Sequence, residues 1–151
     1  MNKRVTQVVI LAGGLGTRLK PFTNTAPKPM YQINNIPFID YLIRQIKSFG
    51  MEEALLLLGY LPKKIMDYLG DGSRYGLTIN YDITPVDYDT GMRIKHAAPQ
   101  IADKFLLLYC DNYCPINYSK LFADFCNNKA KIQITAYSNR DNYTKSNLHI
   151  T

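Results

Sequence analysis

The sequence predicts an α/β fold, a three-layer α/β/α sandwich around a mostly parallel sheet. Three short apolar runs, at 8–11, 55–58 and 105–109, are continuous rather than alternating. That is the pattern of strands covered on both faces in a parallel sheet. Helical patterns separate these runs, and a strand–helix alternation is how such a sheet is built along a chain.

Taken in order, Val8, Val9, Ile10 and Leu11 predict the first strand. Phe38, Ile39, Leu42, Ile43, Ile46 and Phe49 then recur at the spacing of one helix face, with Pro37 near the start and Gly50 at the end. The run at 55–58 is the second strand. Pro62 opens a short helix with Ile65, Met66 and Leu69 on its apolar side, and Gly70-Asp71-Gly72 closes it. Residues 77–83 alternate as a strand does; 87–91 read as a turn, 92–98 as a helix and 105–109 as a strand. Leu121, Phe122 and Phe125 mark a further helix, and 132–137 a last strand. With 151 residues and no repeat, low-complexity tract or linker, the expectation is a single domain over 1–151. Such a chain can bury about 68–70% of its unfolded surface.

Composition excludes several classes. An apolar fraction of 46% with 9 Gly and 8 Pro fits neither a disordered nor a collagen-like chain. No apolar stretch approaches the roughly 20 residues of a membrane-spanning helix. The basic start Met1-Asn2-Lys3-Arg4 is followed by an apolar run only at 8–12, shorter than a signal peptide requires. The expected location is cytoplasmic, without a membrane partner. Three cysteines, an odd count, fit reduced thiols. Cys110 and Cys114 have C-x3-C spacing, but no second close ligand pair accompanies them to complete a zinc site.

The net charge of +6 is unevenly placed. Residues 1–39 contain no Asp or Glu but hold Lys3, Arg4, Arg18, Lys20 and Lys28, whereas the other 112 residues carry 13 basic and 12 acidic side chains. The N-terminal quarter is therefore either an anion site or a solvated basic face. Nucleic acid is not the expected partner, because the cations form no helical stripe with interleaved aromatics.

Directly after the first predicted strand comes Leu11-Ala12-Gly13-Gly14-Leu15-Gly16-Thr17-Arg18-Leu19-Lys20. Glycines let a backbone approach a bulky anion and aim successive N–H groups at phosphate oxygens. The spacing is not that of a Walker loop, which needs Gly-Lys-Ser/Thr four residues after its first Gly. Nor is it the dinucleotide fingerprint, since Leu19 stands where a third Gly or Ala belongs. A plain tight turn would leave Arg18 without a role. Pro27-Lys28-Pro29 then stiffens the backbone on both sides of one ammonium.

The third apolar run leads into Cys110-Asp111-Asn112, which puts a carboxylate at the carboxyl end of a strand. Ligands of open parallel sheets bind at that edge, and the glycine turn must lie there too. A carboxylate facing a polyphosphate is repelled unless a divalent cation intervenes, so the pairing implies Mg2+ at Asp111. Capping of a helix is the alternative role for Asp111. Asp87-Tyr88-Asp89 is a second acidic pair with the D-x-D spacing of metal-dependent glycosyltransferases; no strongly apolar strand precedes it, which favours a loop role.

The glycine turn at 11–19 and Pro27-Lys28-Pro29-Met30 together resemble the signature of sugar-1-phosphate nucleotidylyltransferases. The likeness continues through Gly59-Tyr60-Leu61, Gly70-Asp71-Gly72, Tyr75-Gly76-Leu77 and Cys110-Asp111-Asn112. It resembles in particular the branch with heptose-1-phosphate and mannose-1-phosphate guanylyltransferases, some fused to a sugar phosphatase. The resemblance implies a Rossmann-like fold of the nucleotide-diphospho-sugar transferase type with a mixed, mostly parallel sheet. It also implies a reaction in which a sugar 1-phosphate and a nucleoside triphosphate give a nucleotide sugar and pyrophosphate. On that basis Leu11, Ala12, Gly13, Gly14, Gly16 and Thr17 hold the nucleotide, Gly13 and Gly14 near the base, Gly16 and Thr17 near the phosphates. Arg18 steadies the leaving pyrophosphate, Lys28 the α-phosphate, and Asp111 binds Mg2+. Asp87-Tyr88-Asp89-Thr90-Gly91 departs from the Gly-Thr-Ala/Gly-Gly stretch of relatives, which opens the choice of base.

Relatives supply a sugar-phosphate lysine and a second metal-binding aspartate further downstream, so the chain is expected to carry the nucleotide half of the site. A glycosyltransferase using Asp87 and Asp89, or a nucleotide-binding assembly domain without chemistry, are the competing readings. Tyr113 and Tyr118 are candidates either for a homo-oligomer interface or for the interior.

Overall fold

The computed structural model describes residues 4–128, 130–136, 139 and 140. Four strands form one sheet: β1 (Gln7–Ala12), β4 (Glu53–Leu58), β5 (Thr78–Ile83) and β6 (Phe105–Tyr109). All their pairings are parallel, in the order β5-β4-β1-β6. Between them run α1 (Phe38–Ser48), α2 (Pro62–Leu69) and α3 (Thr90–Ala97), and α4 (Tyr118–Asn127) follows β6.

The period-two geometry of a strand divides its side chains between the two faces. From β1 and β4, Val8, Ile10, Ala12, Ala54, Leu56 and Leu58 point to one side. There they meet Ile39, Leu42, Ile43 and Ile46 of α1, Ile65 and Leu69 of α2, and the partly buried Phe122 and Phe125 of α4. Val9, Leu11, Leu55 and Leu57 point to the other, against Ala97 and Ile94 of α3 with Ile101. The predicted three layers follow from this division.

Two elements differ from expectation. A small antiparallel hairpin, β2 (Gln32–Ile33) and β3 (Ile36–Pro37), precedes α1. Its turn residues Asn34 and Asn35 have φ of 50° and 62°, the left-handed pair that a tight hairpin demands and Asn tolerates. The strand expected over 132–137 does not form within the described residues 132–136. Ile132 and Ile134 are 78% and 69% exposed, and without a paired neighbour an alternating apolar segment has nothing to hold it extended. Tyr137, Lys3 and 147–151 lie outside the described residues. Helix α3 starts at Thr90 rather than Met92, because Asp89 caps it by accepting from the Met92 N–H at 2.8 Å.

Tyr118 is buried at the start of α4, stacked on Phe49 with ring centroids 4.1 Å apart; Tyr113 is exposed. Among the described residues no helix is long and apolar enough to cross a membrane.

Candidate active site

The strand order fixes where a ligand belongs. From β1 the chain moves outward to β4 and β5, then returns across β1 to place β6 on its other side. The segments that follow β1 and β6 therefore start from neighbouring strand ends, at the carboxyl edge where ligands of open parallel sheets bind. Leu11 pairs with Tyr109, and Cys110 N–H donates to the Leu11 carbonyl at 3.1 Å, so the glycine turn and Asp111 emerge side by side. A cavity of about 410 Å³ opens there, within the roughly 300–1,000 Å³ of small-molecule sites.

Most of the residues singled out in the sequence meet in it. Leu11, Ala12, Gly13, Gly14, Gly16, Lys28 and Asp111 line the cavity, with Tyr88, Asp89, Thr90 and Arg93 on the facing wall. Thr17 and Arg18 do not line it; they are exposed on the 3-10 turn Thr17–Leu19 that follows Gly16. The basic N-terminal quarter also divides. Arg4 lies before β1, where it donates to the Gly50 carbonyl at 3.1 Å and approaches Glu52 at 3.8 Å. Its charge belongs to the far end of the sheet, and among the described residues of that quarter Lys28 is the cation that lines the cavity.

Each glycine has its own reason. Gly16 adopts φ +62°, with Lys28 Cβ 3.0 Å and Thr23 Cγ2 3.1 Å from where a side chain would begin. Gly14 has nothing within 4 Å and is exposed, leaving its backbone open to a ligand. Gly13 is buried, and a Cβ there would lie 2.4 Å from Arg93 Cζ. Of the three, Gly14 is the one whose backbone is open for close approach.

Pro27 (φ −71°, ψ 151°) delivers the chain into the 3-10 turn Lys28–Met30, in which the Met30 and Tyr31 N–H groups donate to Pro27 and Lys28 carbonyls at 2.9 and 3.0 Å. Pro27 and Pro29 are buried, which anchors the turn and presents Lys28. Lys28 Nζ donates to Asp111 Oδ2 in an ion pair whose side chains are each 37% exposed. Burial beside them pushes the Cys110 thiol up to about 12, with the Asp111 charge adding and Lys28 opposing.

Asp111 and Asp89 are the cavity's carboxylates, and Asp89 Oδ1 is engaged as the α3 cap. Among the described residues no group of three His, Cys, Asp or Glu side chains forms a preformed metal cage. One carboxylate at an open rim fits an ion that keeps its waters and arrives with phosphate oxygens, as Mg2+ does.

Sequence reasoning missed Arg93. A single Arg in a helix bearing Lys95 and His96 reads as surface charge, yet it is 4% exposed. It donates to the carbonyls of Leu58, Gly13, Pro85 and Val86 at 2.9, 3.3, 3.0 and 3.1 Å and to the Thr84 hydroxyl.

A parallel α/β sheet brings a glycine turn and a strand-end carboxylate to one carboxyl edge, and residues 7–146 match the model of the nucleotidyl transferase family. The chain belongs to that family, which is enzymatic. It is 36% identical over 115 residues to D-glycero-alpha-D-manno-heptose 1-phosphate guanylyltransferase of Campylobacter jejuni, covering 76% of this chain and 52% of the relative. It is 34% identical over 107 residues to choline-phosphate cytidylyltransferase of Streptococcus pneumoniae, covering 71% and 45%. Among solved structures, HddC from Yersinia pseudotuberculosis complexed with GMP-PN superposes with a TM-score of 0.72 at 34% identity, over 82% of this chain and 55% of that one. The chain thus spans about half the length of the relatives it matches.

Proposed function

We propose that this chain carries the nucleotide-binding part of a sugar-1-phosphate nucleotidylyltransferase. The observation that supports it most is the meeting of the glycine turn with Lys28 and Asp111 around one cavity. In the proposed reaction an oxygen of the sugar 1-phosphate forms a bond to the α-phosphorus, the bond to the α,β-bridging oxygen breaks, and pyrophosphate leaves. The attacking phosphate is already ionised, so no protein nucleophile or general base is needed, and catalysis rests on positioning and charge.

Gly14 admits the nucleotide against the turn, and Gly16 supplies the left-handed bend beside Lys28. Lys28 offsets the charge that builds on the α-phosphate, and Arg18, exposed on the next turn, is assigned the leaving pyrophosphate. Asp111 would hold the Mg2+ that accompanies the triphosphate, and the ion would offset charge on the phosphate oxygens. GTP with a heptose 1-phosphate is the first substrate pair to test, on the likeness to the Campylobacter enzyme; CTP is the second, on the likeness to the cytidylyltransferase. Capping of α3 by Asp89 Oδ1 gives that residue a structural role, which weighs against the glycosyltransferase reading of Asp87 and Asp89.

Pyrophosphate release, measured with each nucleoside triphosphate and a panel of sugar 1-phosphates, tests this function. Release that requires both substrates supports it. Nucleotide-sugar hydrolysis or transfer without pyrophosphate release refutes it.

A further inference from the structure

Arg93 is unusual because it is a buried cation that meets no acid. It forms no ion pair among the described residues; burial lowers its pKa and the Asp87 charge partly opposes that. Its acceptors come from three segments: Gly13 after β1, Leu58 at the end of β4, and residues 84–86 after β5. The same carbonyls take further bonds. Tyr60 N–H donates to Gly13 at 3.2 Å, and Thr84 N–H to Leu58 at 3.1 Å.

The backbone around the guanidinium is shaped to admit it. A Cβ at Gly13 would lie 2.4 Å from Arg93 Cζ; one at Gly59 would lie 2.7 Å from Nη1 and 2.6 Å from the Gly13 carbonyl oxygen. Both positions exclude a side chain because Arg93 and its partners fill the space.

Burying an ion without a carboxylate in direct contact is costly, and neutral carbonyls satisfy its N–H groups without cancelling its charge. A tie serving stability alone would gain from a carboxylate partner. Here the cation, held by neutral acceptors alone, lies in the wall of a cavity whose other cation, Lys28, is paired with Asp111.

We infer that Arg93 is the positioning residue of the nucleotide site: it sets the Gly13 turn and the 84–86 loop at the separation a triphosphate requires and lends that wall a positive charge. This rests on the nucleotide-binding reading above. The planar fork is essential to it, since an ammonium has neither the reach nor the geometry to serve three segments at once.

The test compares wild type, Arg93→Lys and Thr84→Val by three measurements. They are melting temperature, amide hydrogen exchange of the free protein, and affinity for GTP, CTP, UTP and inorganic tripolyphosphate with Mg2+. Arg93→Lys is expected to speed exchange in 12–17 and 84–90 while leaving β4 amides protected, and to weaken the preferred triphosphate about tenfold or more. Thr84→Val, which removes one acceptor and keeps Arg93, is expected to shift both in the same direction by less. A lower melting temperature with exchange or affinity unchanged in both variants would make Arg93 merely structural and overturn the inference. If wild type binds none of the four probes, the nucleotide reading itself fails and this inference with it; if wild type binds and both variants bind as well, the inference alone fails.

Discussion

Lys28 donates through Nζ to Asp111 Oδ2, so the cation of the Pro27-Lys28-Pro29 turn and the carboxylate after β6 neutralise each other across the mouth of the cavity. A triphosphate drawing on Lys28 and a divalent ion drawing on Asp111 must both break this contact. Each makes the other's entry easier.

Asp111→Asn therefore has two opposite effects on nucleotide affinity. Without Mg2+, freeing Lys28 raises triphosphate affinity by up to about fivefold, the scale of a partly exposed ion pair. With Mg2+, the variant loses the increase that wild type shows. Calorimetric titration with and without the ion checks both; a variant that retains the Mg2+ increase contradicts the role of Asp111.

Gly14→Ala and Gly13→Ala separate ligand approach from packing. A methyl at Gly14 meets no protein atom within 4 Å, so melting should stay within about 0.5 kcal/mol of wild type while triphosphate affinity falls. A methyl at Gly13 collides with Arg93 and should cost about 1–3 kcal/mol of stability as well. Equal melting for the two variants would undo the distinction.

Sheet packing gives a further contrast. Leu56 is fully buried in β4, whereas Leu107 on β6, the outermost strand on that side among the described residues, is 40% exposed. Leu56→Ala should lose about 2–5 kcal/mol and Leu107→Ala well under half of that, as measured by denaturant unfolding. Comparable losses would mean that β6 is covered as fully as β4.

Asp40 makes stability sensitive to acid. Burial works against its charge, but hydrogen bonds from Arg44, Tyr75 and Tyr68 together outweigh it and hold the carboxyl below its usual 3.8. A carboxylate whose folded pKa is depressed contributes stability that is complete above its unfolded value and is lost as pH falls through the folded one. Wild type should therefore lose stability below about pH 4. Asp40→Asn should start roughly 1–3 kcal/mol less stable and show a flatter acid limb in urea titrations; an unchanged limb would assign the acid sensitivity elsewhere.

The central strands were legible because burial on both faces leaves no polar position to hide them: residues 54–58 are all buried. Phe105–Tyr109 reads the same way yet is an outer strand among the described residues, with Tyr109 51% exposed, since periodicity reports what a strand is suited to and not who its neighbour is. Asn34-Asn35 carried a hairpin signal, but two-residue strands are too short to show a period. Gly13, Lys28 and Asp111 were found because chain chemistry and strand ends predict a shared rim. Arg93 was not, because its burial depends on three segments converging, and local sequence holds no trace of that convergence.

The central claim is that a metal-bound triphosphate occupies the crevice between the ends of β1 and β6. Crystals grown with a non-hydrolysable GTP or CTP analogue and Mn2+ locate both at once, the ion by its anomalous scattering. The account predicts manganese bound to an Asp111 oxygen and to phosphate oxygens, with the nucleotide against Gly14. Manganese away from Asp111, or a nucleotide seated elsewhere on the molecule, would contradict it.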